Sequence, residues 1–229
     1  METIHRQPGG PTVAGGGQRV PCATATDQPA AAGPWERRAH TVRPMVEADV
    51  EQALHVRHDA WRGAYGGILP PAYLDAVIPD EESLARAVRE FRTGHPGRHR
   101  LVAELDGRLV GLVVAGVPRP TAPSARLPLP AERIGEVLSL QTVPAVWGSG
   151  VGDDLLRTAR ELMARDGRDV CTLWVLEENT RARHFYRRHG LRPTGDEQVS
   201  RMGGRRIRQL RYADAEAVLP APREESTER

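Results

Sequence analysis

Seven consecutive residues, Val170-Cys171-Thr172-Leu173-Trp174-Val175-Leu176, are apolar on both sides of a strand's two-residue alternation. Such a strand is stable only where both faces of its sheet are covered, which commits the chain to helices layered on a sheet. The flanking segments have the right periodicity. Val151, Leu155, Leu156, Ala159, Leu162 and Met163 form a helical stripe before the strand, and Ala182, Phe185, Tyr186 and His189 form another after it, with Gly190 placed to end the helix. Upstream, Leu101–Leu105 and Arg108–Val114 flank Asp106-Gly107, a pair that accepts the positive φ angles of a type I′ hairpin turn. Thr41–Pro44 reads as a short strand, and Val50, Ala53, Leu54, Val56 and Ala60-Trp61 as a helix stripe. Gly63, Gly66, Gly67, Pro70 and Pro71 then predict a structured loop over 61–73, before a helical patch from Leu74 to Phe91. After a Pro-rich loop over 118–130, Glu136–Val143 is the next strand, and two further short strands are expected over Gln198–Met202 and Ile207–Tyr212. The expectation is one α/β (α+β) domain over residues 40–213 with a mixed sheet. Residues 1–39, rich in Gly, Pro, Ala and Thr, and residues 214–229, with Pro220, Pro222 and five acids, are expected as disordered tails.

Several classes of protein are excluded early. The longest apolar stretch, Leu109–Val117, is about half of the ~18 residues that a membrane-spanning helix needs, and no basic-then-apolar leader opens the chain. A soluble, cytoplasmic protein is the expectation. Cys22 and Cys171 are far apart, with no CxxC and no histidine pair beside them, so neither a disulfide framework nor a metal site is expected. Thirty-two basic residues face 30 acidic ones, too even a balance to require nucleic acid or a membrane as partner. Every basic residue is arginine, so arginine clusters are discounted as a compositional habit.

Chemistry concentrates between a strand and a helix, at Val143-Pro144-Ala145-Val146-Trp147-Gly148-Ser149-Gly150-Val151-Gly152. Three glycines at alternate positions let backbone N–H groups approach a ligand, and the following helix adds its positive end. That combination predicts an anion site, most simply for a pyrophosphate. No Gly-Lys-Ser/Thr follows and the spacing is not G-x-G-x-x-G, which removes the Walker and dinucleotide loops. A tight turn without a ligand has about equal standing on the glycines alone. Asn179 and Tyr186, seven residues apart, fall on one helix face and can meet one ligand. Packing is the commoner role for a lone tyrosine.

Taken together, Leu140-Gln141-Thr142-Val143-Pro144, Trp147-Gly148-Ser149-Gly150-Val151-Gly152, Leu155-Leu156, Leu173-Trp174-Val175, Asn179, Ala182, Phe185-Tyr186 and Gly190-Leu191 resemble the GNAT superfamily of N-acetyltransferases. The resemblance extends to Val42-Arg43-Pro44, Asp49 and Trp61–Pro70, and covers roughly residues 40–212. It implies a mixed, mostly antiparallel sheet splayed between two adjacent parallel strands, with helices on both faces and acetyl-CoA in the gap as cosubstrate, without a metal. It assigns the pantetheine arm to the backbone of Gln141, Thr142 and Val143, and the pyrophosphate to the turn Trp147-Gly148-Ser149-Gly150-Val151-Gly152-Asp153. Asn179, Ala182 and Tyr186 complete the cofactor set. Thr142 or Val143 N–H is a candidate donor to the thioester oxygen. Tyr186 is implied as the acid that protonates the leaving thiolate, since a phenol stays protonated at neutral pH. Glu136 corresponds to a strand carboxylate implied as base, with Glu177 and Glu178 as alternatives and a solvated carboxylate as the bland reading. Trp61 and Tyr65 are candidates for the acceptor pocket, although aromatic residues at helix ends are more often core.

Two features depart from the family pattern. Trp147 stands where a polar side chain is frequent, and Asp153 and Asp154 bring negative charge to the proposed phosphate turn, with Arg157 positioned to neutralise Asp153 by an i,i+4 pair. Cys171, in a buried strand without a histidine partner, does not suggest a covalent acyl-enzyme. The expected activity is therefore direct transfer of acetyl from acetyl-CoA to a primary amine of a small molecule, peptide or protein. A catalytically inactive acyl-CoA-binding regulator is the alternative. Nucleic-acid binding through Arg201, Arg205, Arg206, Arg208 and Arg211 is a weaker third, and both a monomer and a homodimer remain open.

Overall fold

The structure, a computed structural model, describes residues 39–120 and 124–220. The N-terminal tail expected over 1–39 lies almost wholly outside the described residues. The elements are β1 (Thr41–Pro44), α1 (Val50–Tyr65), α2 (Pro71–Asp75), α3 (Glu81–Thr93), β2 (Arg98–Leu105), β3 (Arg108–Gly116), β4 (Ile134–Thr142), α4 (Val151–Arg165), β5 (Val170–Leu176), α5 (Thr180–Arg188), β6 (Leu191–Met202) and β7 (Arg205–Asp214). They build a seven-stranded sheet in the order β1-β2-β3-β4-β5-β7-β6. All neighbours are antiparallel except β4 and β5, the expected parallel pair.

The β2–β3 turn is as expected, with Asp106 at φ 50° and Gly107 at φ 75°. Beyond it, α4 lays Leu155, Leu156, Ala159 and Met163 on one sheet face among Leu101, Val113, Val137, Leu173 and Val175. The opposite face receives α1, whose Ala53 and Val56 pack on Val102, Leu109 and Leu112. Cys171, Leu173 and Val175 of β5 belong to the α4 side, and Leu176 joins α1 residues Trp61 and Tyr65 on the other. The segment apolar on both faces is thus covered on both.

Three segments differ from expectation. Helix α1 runs on to Tyr65, and α2 begins at Pro71, so the loop expected over 61–73 shrinks to the residues between them. Proline supplies a favourable first helical position at α2. The helical patch divides into α2 and α3 around Pro79, and Asp80 caps α3 by accepting the Ser83 N–H. Strands β6 and β7 are longer than the two short strands expected, because Pro193 and Gly195 are absorbed by an irregularity in register between Pro193 and Glu197. At the C-terminal end, Asp214 closes β7, its carboxylate accepting from Cys171 N–H at 2.7 Å and Arg160 at 2.8 Å. Leu219 N–H reaches Arg126 O at 2.9 Å. The first residues of the expected C-terminal tail are therefore tied to the domain, and residues 221–229 lie outside the described set.

Pairing between β4 and β5 runs only from Ile134↔Val170 to Val137↔Leu173, although both strands continue. Between Val114 and Ala115 of β3 the partner jumps from Ser139 to Val137, so β4 carries an extra residue, Leu138, that bends it at this point, while β7 holds the far edge of β5 up to Leu176. The sheet opens from Leu138 and Trp174 onward.

Leu155 is fully buried at the centre of the α4 layer. Leu155→Ala is expected to lower unfolding free energy by about 2–5 kcal/mol, measured by urea titration.

Candidate functional site

The opening between β4 and β5 forms a cleft of about 930 Å³. Its walls are Ala60, Trp61, Ala64 and Tyr65 of α1, the free edge of β4, the turn into α4, the end of β5, and one face of α5. Of the residues expected at the site, Trp61, Tyr65, Gln141, Thr142, Trp147, Gly148, Gly150, Gly152, Asp153, Asn179, Ala182 and Tyr186 line it. Val143, Ser149, Val151 and Glu136 do not. Val143 N–H is donated to Val110 O at 3.0 Å, so alternation along the strand turns the Thr142 amide to the opposite edge, toward the gap. Val151 is core, and Ser149 Oγ donates to Val146 O.

Gly148 and Gly150 have φ angles of 84° and 94°, and Gly150 is the N-cap of α4. A Cβ at either would meet nothing within 4 Å, so backbone conformation rather than crowding is what calls for glycine there. Among the described residues no side chain caps α4, and the first-turn N–H groups have no intrahelical acceptor. The helix thus presents amides and its positive end to the cleft.

The acids at this turn are partnered differently from the expected i,i+4 pair. Asp153 is held by His189 Nε2 at 2.7 Å, with Arg188 3.9 Å away. Arg157 instead bonds Asp154 and Glu161, both at 2.9 Å, and His40 meets Asp154 at 2.9 Å. The Arg157 hydrogen bond holds the Asp154 carboxyl below the usual carboxylate range. Trp147 is locked by its indole N–H donating to Thr142 O at 3.2 Å, and Arg181 lies 3.7 Å above its ring. No acid is paired with Arg181 among the described residues, and burial together with Arg188 nearby lowers its pKa. The turn therefore offers a cation beside its amides.

Deeper in the cleft, the Tyr186 side chain is only 8% exposed and packs edge-on to Phe185. Burial first, then Tyr65 and Cys171 nearby, pushes its phenol above the usual value of 10. Asn179 caps α5 by accepting Ala182 N–H at 3.0 Å, and both it and Tyr65 of α1 line the cleft. Trp61 packs edge-on to Tyr65, and its Nε1–H is buried without a partner among the described residues, as is Gln141 Oε1.

Glu136 is not presented to the cleft. It is 2% exposed, and its carboxylate accepts Arg119 N–H at 2.8 Å and Arg119 Nε–H at 2.9 Å, with a third bond from Nη2. The alternatives are likewise engaged, Glu177 by Arg208 at 2.9 Å and Glu178 by Arg205 at 3.8 Å. Sequence reasoning missed Arg119, Arg181, Trp174, Met202 and Gln209, all of which line the cleft. The arginines were hidden by their abundance. The period-two alternation of β5 was the one signal that could have found Trp174. Among the described residues, no group of three or more His, Cys, Asp or Glu side chains is disposed to hold a metal, and no helix is long and apolar enough to cross a membrane.

The model of the Acetyltransferase (GNAT) family matches residues 56–191, more than half of the chain. The chain belongs to the GNAT family. A curated relative, an uncharacterized N-acetyltransferase of Archaeoglobus fulgidus, is 34% identical over 92 residues, which cover 40% of this chain and 58% of the relative. A spermidine N(1)-acetyltransferase of Thermoplasma acidophilum is 24% identical over 153 residues, 66% of this chain and 87% of that protein. Among solved structures, the PaiA N-acetyltransferase of Thermoplasma acidophilum in complex with coenzyme A superposes with a TM-score of 0.54 at 22% identity, covering 75% of this chain and 98% of that one. The splayed β4–β5 pair, the glycine turn and the α5 tyrosine therefore stand on a GNAT fold.

In this GNAT domain Cys171 is buried, and desolvation pushes its thiol up to about 12. In a Cys22→Ser background, Cys171 is expected to resist iodoacetamide at pH 8 in the folded protein and to react within minutes in denaturant, as read by mass spectrometry.

Proposed function

We propose that this GNAT-family chain transfers the acetyl group of acetyl-CoA directly to a primary amine of a small molecule, peptide or protein. The observation that carries the reading is the cleft itself, where an unpaired β4 edge, an amide-lined helix N-terminus and a buried tyrosine line one opening. The residues fit the cosubstrate. The Gly148–Asp153 turn and Arg181 suit a diphosphate, and the free edge of β4 suits the amides of a pantetheine arm by strand addition. The bound thioester supplies an acyl carbon already activated for attack.

The amine nitrogen forms the new C–N bond, the C–S bond breaks, and the thiolate takes a proton. Thr142 N–H, aimed into the gap, stabilises the oxyanion of the tetrahedral intermediate. Tyr186 delivers the proton to sulfur. Its raised pKa keeps it protonated well above neutrality, and loss of the acid form begins only at pH values above the usual 10. Glu136 does not serve as base in this reading, because three Arg119 donors occupy its carboxylate. The amine proton leaves through water in the cleft. Cys171 takes no part, since a thiol with pKa about 12 in a buried strand is not a nucleophile at neutral pH.

Acetyl-CoA titrated calorimetrically into the full chain is expected to bind, and Gly150→Glu, which puts a carboxylate into the turn, to abolish binding. Tyr186→Phe is expected to lower kcat by about 10²–10⁴-fold while acetyl-CoA affinity is kept. The wild-type kcat should show no basic limb from Tyr186 between pH 7 and 10. Binding without turnover of any amine would instead make the chain an acyl-CoA-binding module.

A further inference from the structure

The charged side chains lining the cleft are Arg119, Asp153, Arg181, Arg187 and Arg188. Four of these belong to the α4–α5 end, and the single acid among them is already paired with His189. The other end is built differently. Val137 packs on the α4 side of the sheet, so the neighbouring Glu136 and its partner Arg119 lie on the α1 side. There Trp61 and Tyr65 cluster with Leu176 and Met202, and Trp174, two residues before Leu176, shares its face. Among the described residues, Arg119 is the one charged side chain lining this apolar, aromatic end of the cleft. Glu136 grips its backbone N–H, Nε and Nη2, leaving Nη1 without a partner among the described residues. A guanidinium clamped along one edge is pre-oriented to receive a carboxylate on the other. Among the described residues no carboxylate lines this end of the cleft, and Glu177 and Glu178, which follow the cleft-lining Leu176 in the chain, are paired with Arg208 and Arg205.

We infer that the acceptor is an amine carrying its own carboxylate on an apolar body, an amino acid with a hydrophobic side chain, with Arg119 as its carboxylate site. Glu136 is then a positioning residue for Arg119. The inference rests on the acetyltransferase reading above and narrows its acceptor. A polyamine, with several positive charges, meets an arginine here and no compensating acid.

The test uses the full chain with acetyl-CoA and a matched pair of acceptors, phenylalanine and phenethylamine, which differ in the carboxylate alone, with spermidine as the polycation. Release of CoA thiol is followed. Phenylalanine is expected to exceed phenethylamine in kcat/KM by about tenfold or more, with spermidine lowest. Arg119→Ala is expected to collapse that ratio by raising KM for phenylalanine. Glu136→Gln should raise the same KM more than it lowers kcat, without removing an acid limb from kcat against pH. Equal use of the pair, or preference for spermidine, overturns the inference. So does a Glu136→Gln variant whose main loss is in kcat together with its acid limb, since that is the behaviour of a base. Calorimetric titration of the same acceptors into the CoA complex reads the preference without turnover. Bound CoA with no preference for phenylalanine counts against the acceptor assignment alone, whereas failure to bind CoA counts against the acetyltransferase reading.

Discussion

Parallel pairing between β4 and β5 stops at Val137↔Leu173, and everything proposed for this chain depends on that stop. An interior break in a sheet exposes N–H and C=O groups that a continuous ladder would satisfy, and such groups need water or a ligand. Here the break is held open from both sides. The extra residue of β4 at Leu138 bends one strand, and β7 pairs with the other to its end. An amide-bearing chain entering the gap would restore the missing pairs on the β4 side, so the same feature that weakens the sheet selects the chemistry of what fills it.

Electrostatics divides the cleft into two ends. At the turn, uncapped amides of α4 and Arg181 on its Trp147 platform make a positive region, and Asp153 and Asp154 are drawn off by His189, Arg157 and His40. At the α1 face the wall is aromatic and, among the described residues, its one charge is the Arg119 guanidinium, held by the buried Glu136. The Glu136 carboxylate itself is buried and accepts three hydrogen bonds from Arg119.

Much of this was readable from local pattern. The Asp106-Gly107 turn, the α4 stripe, the doubly apolar β5 and the glycine turn are statements about periodicity and backbone conformation, and each requires only neighbours in sequence. What was not readable involves partners far apart in the chain. Glu136 had the right residue type and strand for a base, but Arg119, seventeen positions earlier, occupies it. Arg157 had the right spacing for Asp153, but a helix surface offers i,i+3 as well, and Asp154 and Glu161 took it. Arg181 was invisible among many arginines until Trp147 was found beneath it.

The sequence by itself determined the layered mixed sheet, the helix that begins at a left-handed glycine, and the convergence of Asn179 and Tyr186, because hydrophobic period and glycine's access to positive φ act within a few residues. Only the tertiary structure decided where β4 and β5 part and which charges neutralise one another. It also decided that the Glu136 carboxylate is hydrogen-bonded by Arg119. Those outcomes are set by competition among side chains brought together from distant positions, and local spacing carries no record of which partner wins.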